Sequence, residues 1–159
     1  MHPKGQGIRN LGRELAFISL YIYDVSSISL KELLDFSWYD EIVEQKEEDI
    51  LFIPLKLRNE VYKFSYSLLN GAVSNIARLD SIIKQHLVNW SFSRVRSVDK
   101  AILRLSVYTI LYCYNIPVEV SISAANYLSN KYSDDNASYY INGILHRVKE
   151  EYRKNFVIE

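Results

Sequence analysis

Apolar residues return along the chain at three- and four-residue steps, the spacing of helices that each bury one face. Near the N-terminus Leu11, Leu15, Ile18 and Ile22 form one such stripe, and Arg9, Arg13 and Phe17 fall on the opposite face at about 100° per residue. That second face is either ordinary solvated surface with one exposed ring or a basic, aromatic surface left outside the core. A short second helix is expected over residues 29–36, with Ser29 placed to cap it, and Pro54 marks a boundary. Val61, Phe64, Leu68, Leu69 and Val73 carry the helical period through the middle of the chain. Gly71 lies inside that run, where glycine costs about 1 kcal/mol against alanine, so another helix is expected to approach closely there.

Leu79, Ile82, Ile83, His86 and Leu87 predict a helix starting after Asp80, and residues 89–93 (NWSFS) break the pattern as a turn. Val98, Ala101, Ile102 and Leu105 form the next stripe, while Leu103, Val107, Ile110 and Leu111 cover most of the remaining surface. A helix apolar nearly all round is a central one, buried on several sides. Asn115-Ile116-Pro117 ends it, and Pro117 can start its successor, which carries Val118, Ile122, Ala125, Leu128 and Tyr132. The polar turn Ser133-Asp134-Asp135-Asn136 caps a last helix with Ile141, Ile144, Leu145, Val148 and Tyr152 on its buried side. No alternating strand pattern interrupts the series. The expectation is an all-α fold of about seven helices joined by short loops, in one domain over residues 1–159.

Composition narrows the setting. With 159 residues, 48% of them hydrophobic, the chain can bury a core. The 13 tyrosines are amphipathic rings suited to the edge of such a core. A single cysteine, Cys113, excludes an intramolecular disulfide and fits a reducing, cytoplasmic compartment. Its position on the apolar central helix suggests a small buried thiol. The first ten residues lack the apolar run of a signal peptide, and no apolar stretch is long enough to span a membrane. Net charge is zero but uneven. Residues 40–49 hold six acids and one base, most simply a solvated loop or helix face, which leaves the rest of the chain with a basic excess. Lys4, Arg9 and Arg13 stand at the N-terminus with no acid before Glu14. A neutral total argues against nucleic-acid binding and a basic end argues for it.

Motifs for catalysis are missing. His2, His86 and His146 are far apart and none has HExxH spacing, so no zinc site is expected. There is no phosphate-cradling glycine motif and no nucleophile elbow. Nothing apolar surrounds the 40–49 carboxylates to raise the pKa of a general acid. The residues therefore describe a binding module with no catalytic group, no metal and no cofactor.

Several segments, in order, resemble the NusB family. The string HLVNWSFSRVRSVDKAILRLSVY at residues 86–108 is similar to that family's Trp-containing turn followed by a V-D-(K/R)-A-I-L-R-L helix. Asn115-Ile116-Pro117 matches its D/N-I-P break, and residues 139–145 (YYINGIL) look like its F-V-N-G-V-L signature. Arg13-Glu14-Leu15-Ala16 with Leu20-Tyr21 resembles A-R-E-x-A…L-Y, and Leu68-Leu69-Asn70-Gly71 and Leu79-Asp80 match its middle helices. The likeness covers nearly the whole chain and is poorest between Leu30 and Lys56.

The resemblance implies two helical sub-bundles, roughly residues 8–78 and 79–155, packed into one compact unit. It implies a non-enzymatic antitermination factor that binds boxA-type single-stranded RNA of ribosomal RNA operons together with the ribosomal protein NusE. The RNA polymerase elongation complex and other Nus factors would be its wider partners, and the free protein would be able to form a homodimer. It implies an RNA surface containing Arg9, Arg13, Tyr132 and Tyr140, and NusE-facing positions at Tyr21 and Asp99. Residue by residue, the two tyrosines also read as rim rings of the core, and Asp99 as a carboxylate favoured by its helix N-terminus. The chain departs from the family where Asn10 and Leu11 replace consecutive arginines, at Ser123-Ala124, and at Asp135-Asn136-Ala137. Two other readings share the fold: the RNA-binding part of a ribosomal RNA cytosine methyltransferase, whose catalytic half would lie beyond Glu159, and an interaction protein that does not bind RNA.

Overall fold

The computed structural model describes residues 7–45 and 51–153. Eight α-helices are present among them and no strand: α1 (Ile8–Val25), α2 (Leu30–Asp35), α3 (Ser37–Glu44), α4 (Arg58–Ser74), α5 (Ile76–Gln85), α6 (Ser97–Tyr112), α7 (Val118–Tyr132) and α8 (Asp135–Arg153). Short 3-10 turns at Leu55–Leu57 and Phe92–Arg94 precede α4 and α6. The Ser29 hydroxyl caps α2 by accepting the Glu32 N–H at 3.2 Å, and the Asp134 carboxylate does the same for Ala137 at the head of α8, at 2.8 Å. Phe36 takes a left-handed backbone (φ 59°) between α2 and α3, held by the burial of its ring against Tyr62 and Trp38.

The core gathers Leu15, Leu69, Ile83, Ile102, Leu103 and Leu145. The central helix is α6, packed on α1, α4, α5, α7 and α8, as its all-round apolar character predicts. The close approach expected at Gly71 is made by Tyr108 of α6, whose phenol occupies the space that a Cβ there would need. Arg104 projects from α6 into a nearly closed site. It makes two bonds to Asp80 of α5, at 2.8 and 2.9 Å, and one to Asp24 of α1 at 3.2 Å, with the Phe92 ring over its guanidinium.

Four expectations need correction. Phe17 is 2% exposed and packs on Tyr132 with ring centroids 4.9 Å apart and planes tilted by 49°, because α1 is wedged between α4 on one side and α6 and α7 on the other. A helix covered on two sides buries more than the one stripe its spacing shows. The fifth helix begins at Ile76, ahead of Asp80, whose carboxylate meets Arg104. Pro117 is the residue before α7, which starts at Val118. Cys113 is half-buried at the end of α6, so it is not a fully buried thiol.

The first part of the acidic run forms α3, where Asp40 accepts the Tyr62 hydroxyl at 2.6 Å and pairs with Arg58 at 3.4 Å. Residues 46–49 of that run, His2 and Lys4 lie outside the described residues. His86 is buried, with its ring nitrogens against the Ile82 carbonyl and Glu151. Among the described residues no cluster of His, Cys, Asp and Glu gathers to hold a metal ion, and no helix is long and apolar enough to cross a membrane.

Candidate nucleic-acid interface

The first turn of α6, the residues after α7 and the start of α8 meet at Asp99. This carboxylate is 1% exposed and fully engaged. It accepts hydrogen bonds from the Ser133 hydroxyl at 2.7 Å, the Tyr140 hydroxyl at 2.6 Å and Arg96 Nε at 3.2 Å. Arg96 also reaches Ser133 Oγ at 2.6 Å and Asp134 at 3.2 Å. Burial, and then the bond to Asp99, push the Tyr140 phenol far above its ordinary range, so it stays a donor. The charge of Asp99 is the main reason that the Arg96 guanidinium is raised. The cluster thus fixes an exposed, permanently charged arginine at one rim of a groove.

That groove, about 870 Å³, runs between the segment 87–96 and α8. Asn89 takes a left-handed backbone (φ 56°), which turns the segment over α8. Trp90 and Tyr139, 52% and 87% exposed, are its most open rings, and Arg94, Arg96 and Arg147 bring positive charge. Arg147 is anchored by donating to the His86 carbonyl at 2.8 Å. Tyr140, Gly143 and Ile144 also line it, as do the carboxylates of Asp99 and Asp134, both paired with Arg96. Rings with open faces beside guanidinium groups are what an unstacked single strand of nucleic acid requires: a surface for base stacking and cations for phosphates.

A second cavity lies between α1 and α7. Arg9 is exposed and Arg13 is only 8% exposed, and both guanidinium groups sit over the Phe64 ring, at 5.4 and 5.7 Å. Burial lowers the Arg13 pKa, and the neighbouring Arg9 lowers it further. Arg13 donates to Asn10 at 3.1 Å. Beside it the buried Glu14 accepts from Lys131 and from the Tyr132 hydroxyl, each at 2.7 Å.

The structure therefore divides the residues that the resemblance brings together. Tyr140 lines the groove with its hydroxyl engaged, while Tyr132 packs on Phe17 and bonds Glu14 on the α1 side. Arg13 lines the α1–α7 cavity. Tyr21 is exposed on α1, whereas Asp99 is buried and meets neighbours through Arg96, Ser133 and Tyr140. Trp90, Arg94, Arg96, Tyr139 and Arg147 were not anticipated. The run Trp90-Ser91-Phe92-Ser93-Arg94-Val95-Arg96 carries the signal, since two arginines follow an aromatic within six residues, but it reads first as a turn.

The profile of the NusB family matches residues 11–150. The transcription antitermination protein NusB of Bacillus pumilus is 35% identical over 146 residues, covering 92% of this chain and 98% of that protein. The one from Treponema denticola is 35% identical over 143 residues, covering 90% and 96%. Among solved structures, T. maritima NusB superposes with a TM-score of 0.71 at 25% identity, covering 91% of this chain and 92% of that one. A complex of the antitermination factors NusB and NusE with dsRNA contains a chain that superposes at 0.73 with 27% identity, covering 93% and 100%.

Proposed function

Because the chain belongs to the NusB family, a non-enzymatic family of transcription antitermination proteins, we propose that it binds boxA-type single-stranded RNA together with NusE. In this role it promotes read-through by RNA polymerase in ribosomal RNA operons, alongside other Nus factors. The observation that carries the reading is the groove, where Trp90 and Tyr139 stand open beside Arg94, Arg96 and Arg147. A relative in complex with NusE and RNA supports the choice of partners. Tyr140 supports the groove from within, and Arg9 offers a cation on the α1 side. Tyr132 contributes by holding Glu14 in place.

Each stacked base contributes about 1–3 kcal/mol. Trp90→Ala combined with Tyr139→Ala is therefore expected to weaken boxA-type RNA at least about tenfold, with little change in stability because both rings are exposed. Fluorescence anisotropy at low salt reads the effect, and wild-type affinity in the folded double variant sinks the groove as the RNA surface. Tyr21 is proposed to face NusE directly, and Asp99 to belong to that surface as the buried anchor of the α6–α8 junction, bonded to Ser133 and Tyr140. Tyr21→Ala should weaken NusE binding about tenfold in a calorimetric titration while RNA binding by the free chain is unchanged. An unaltered NusE affinity removes Tyr21 from the interface.

A further inference from the structure

His86 stands where α5 ends and the groove-forming segment 87–96 begins, and two bonds tie it to α8. Its carbonyl accepts from Arg147 at 2.8 Å, and its ring Nε2 lies 2.6 Å from Glu151 Oε2. Arg147 and Glu151 are one helical turn apart, so both bonds reach the same face of α8. The other ring nitrogen, Nδ1, lies 2.8 Å from the carbonyl of Ile82, one of the last four of α5, which a helix end leaves without a helical partner. The imidazole is buried between these two acceptors.

The two contacts fix the protons. A carbonyl only accepts, so Nδ1 carries a hydrogen. A carboxylate oxygen 2.6 Å from Nε2 needs a second hydrogen between them, because two lone pairs at that distance repel. A carboxylate ordinarily holds a proton far less tightly than an imidazole, so the contact is an imidazolium donating to a carboxylate. It exists only while that proton is present. The Arg147 bond runs through the backbone and does not need it. Around the ring, α8 brings Glu151, Arg147 and the Tyr152 phenol, whose ring lies 6.3 Å from the imidazole. On α5, Lys84 is turned to the Phe92 ring and Arg78 to Tyr112. On α6, Arg104 is held by Asp80 and Asp24, and Lys100 lies over Phe92. Once the proton leaves, Glu151 keeps its charge, loses His86 and has Arg147 as its helical neighbour.

We infer that His86 and Glu151 are positioning residues of the groove, a proton-dependent clamp that holds the Trp90 segment and Arg147 in place on α8. The inference rests on the proposed use of the groove for RNA and adds a control by pH. With the proton in place, Glu151 is occupied and Arg147 is left to the groove. Without it, Glu151 draws Arg147 to itself, and the groove loses a cation and its two bonds to His86 together.

Two measurements test it from about pH 5.5 to about pH 8.5, which brackets the ordinary titration of histidine. Nitrogen NMR of the free chain follows the His86 ring and the Trp90 indole, and fluorescence anisotropy follows a short boxA-type RNA. In wild type both ring nitrogens carry protons at the acid end. The Trp90 resonance moves as Nε2 loses its proton, and RNA affinity falls about tenfold over the same interval. Glu151→Ala binds at the acid end as weakly as wild type does at the alkaline end, and its curve is flat. Glu151→Gln gives Nε2 a partner in either state, because an amide both donates and accepts, so it regains affinity over the alanine variant and its curve is also flat. Glu151 is exposed, so neither change threatens the fold. An Nε2 without a proton at the acid end, or equal pH profiles in wild type and Glu151→Gln, overturns the clamp. A Trp90 resonance that follows the proton while wild-type RNA affinity stays constant overturns the positioning role and leaves an anchor of the fold. A chain that binds no RNA at any pH, with or without NusE, overturns the proposed function, and the two resonances still decide the clamp.

Discussion

Arg104→Ala is expected to cost the fold about 3 kcal/mol, the lower end of what breaking a buried ion pair costs. The guanidinium is almost wholly enclosed, and its two carboxylate partners retain some exposure, which places the loss at that lower end. Removing it leaves Asp80 and Asp24 facing each other's charge across the junction of α1, α5 and α6, and takes away one of three cations over the Phe92 ring, leaving Lys84 and Lys100. At this chain length the loss should appear as a fall of roughly 6–12 °C in melting temperature. The pH dependence identifies the cause. Burial alone raises the Asp24 carboxyl, but hydrogen bonds from Ser97 and Arg104 outweigh it and hold the group below its ordinary value. A carboxylate with a lowered folded pKa contributes stability above its unfolded pKa and loses it as pH falls through the folded one. The gap between wild type and Arg104→Ala in urea denaturation should therefore be full at neutral pH and narrow in acid. A loss under about 1 kcal/mol, or a gap indifferent to acid, refutes an ionic origin.

Tyr39→Phe is expected to cost about 2–4 kcal/mol by orphaning two backbone groups in the interior. The Tyr39 hydroxyl is buried, donates to the Leu51 carbonyl at 2.6 Å and accepts the Ile53 N–H at 2.9 Å. Burial raises its pKa, so it remains protonated and able to do both. Its hydroxyl joins α3 to the chain leading into α4, and Trp38 and Tyr62 pack edgewise on its ring. Denaturant titration measures the cost, and amide exchange at Ile53 should accelerate in step. A stability within about 0.5 kcal/mol of wild type, as for an ordinary surface change, shows that the segment has other anchors.

The architecture was legible because periodicity reports burial directly. The stripes from Leu11 to Ile22 and from Val98 to Leu111 lie in α1 and α6, and the caps at Ser29 and before α8 follow from local hydrogen bonding. The interface was less legible. Arg9 and Tyr140 could be singled out by position, but the partner of each polar side chain lies far away in the chain. Tyr140 meets Asp99 across 41 positions, and Arg147 meets the His86 carbonyl across 61.

The sequence by itself determined that this chain is all-helical, that α6 is its centre and that its motifs are those of the NusB family. Hydrophobic spacing and capping act within a few residues, so one strand of text contains them. Only the tertiary structure decided that Phe17 and Arg13 turn inward, that Asp99 is a buried anchor for Arg96, and that Trp90 and Tyr139 share a basic groove. Those outcomes depend on how helices distant in sequence cover one another. The basic face read from Arg9, Arg13 and Phe17 becomes, once α4 and α7 close over it, a single exposed arginine beside a buried arginine and a buried ring.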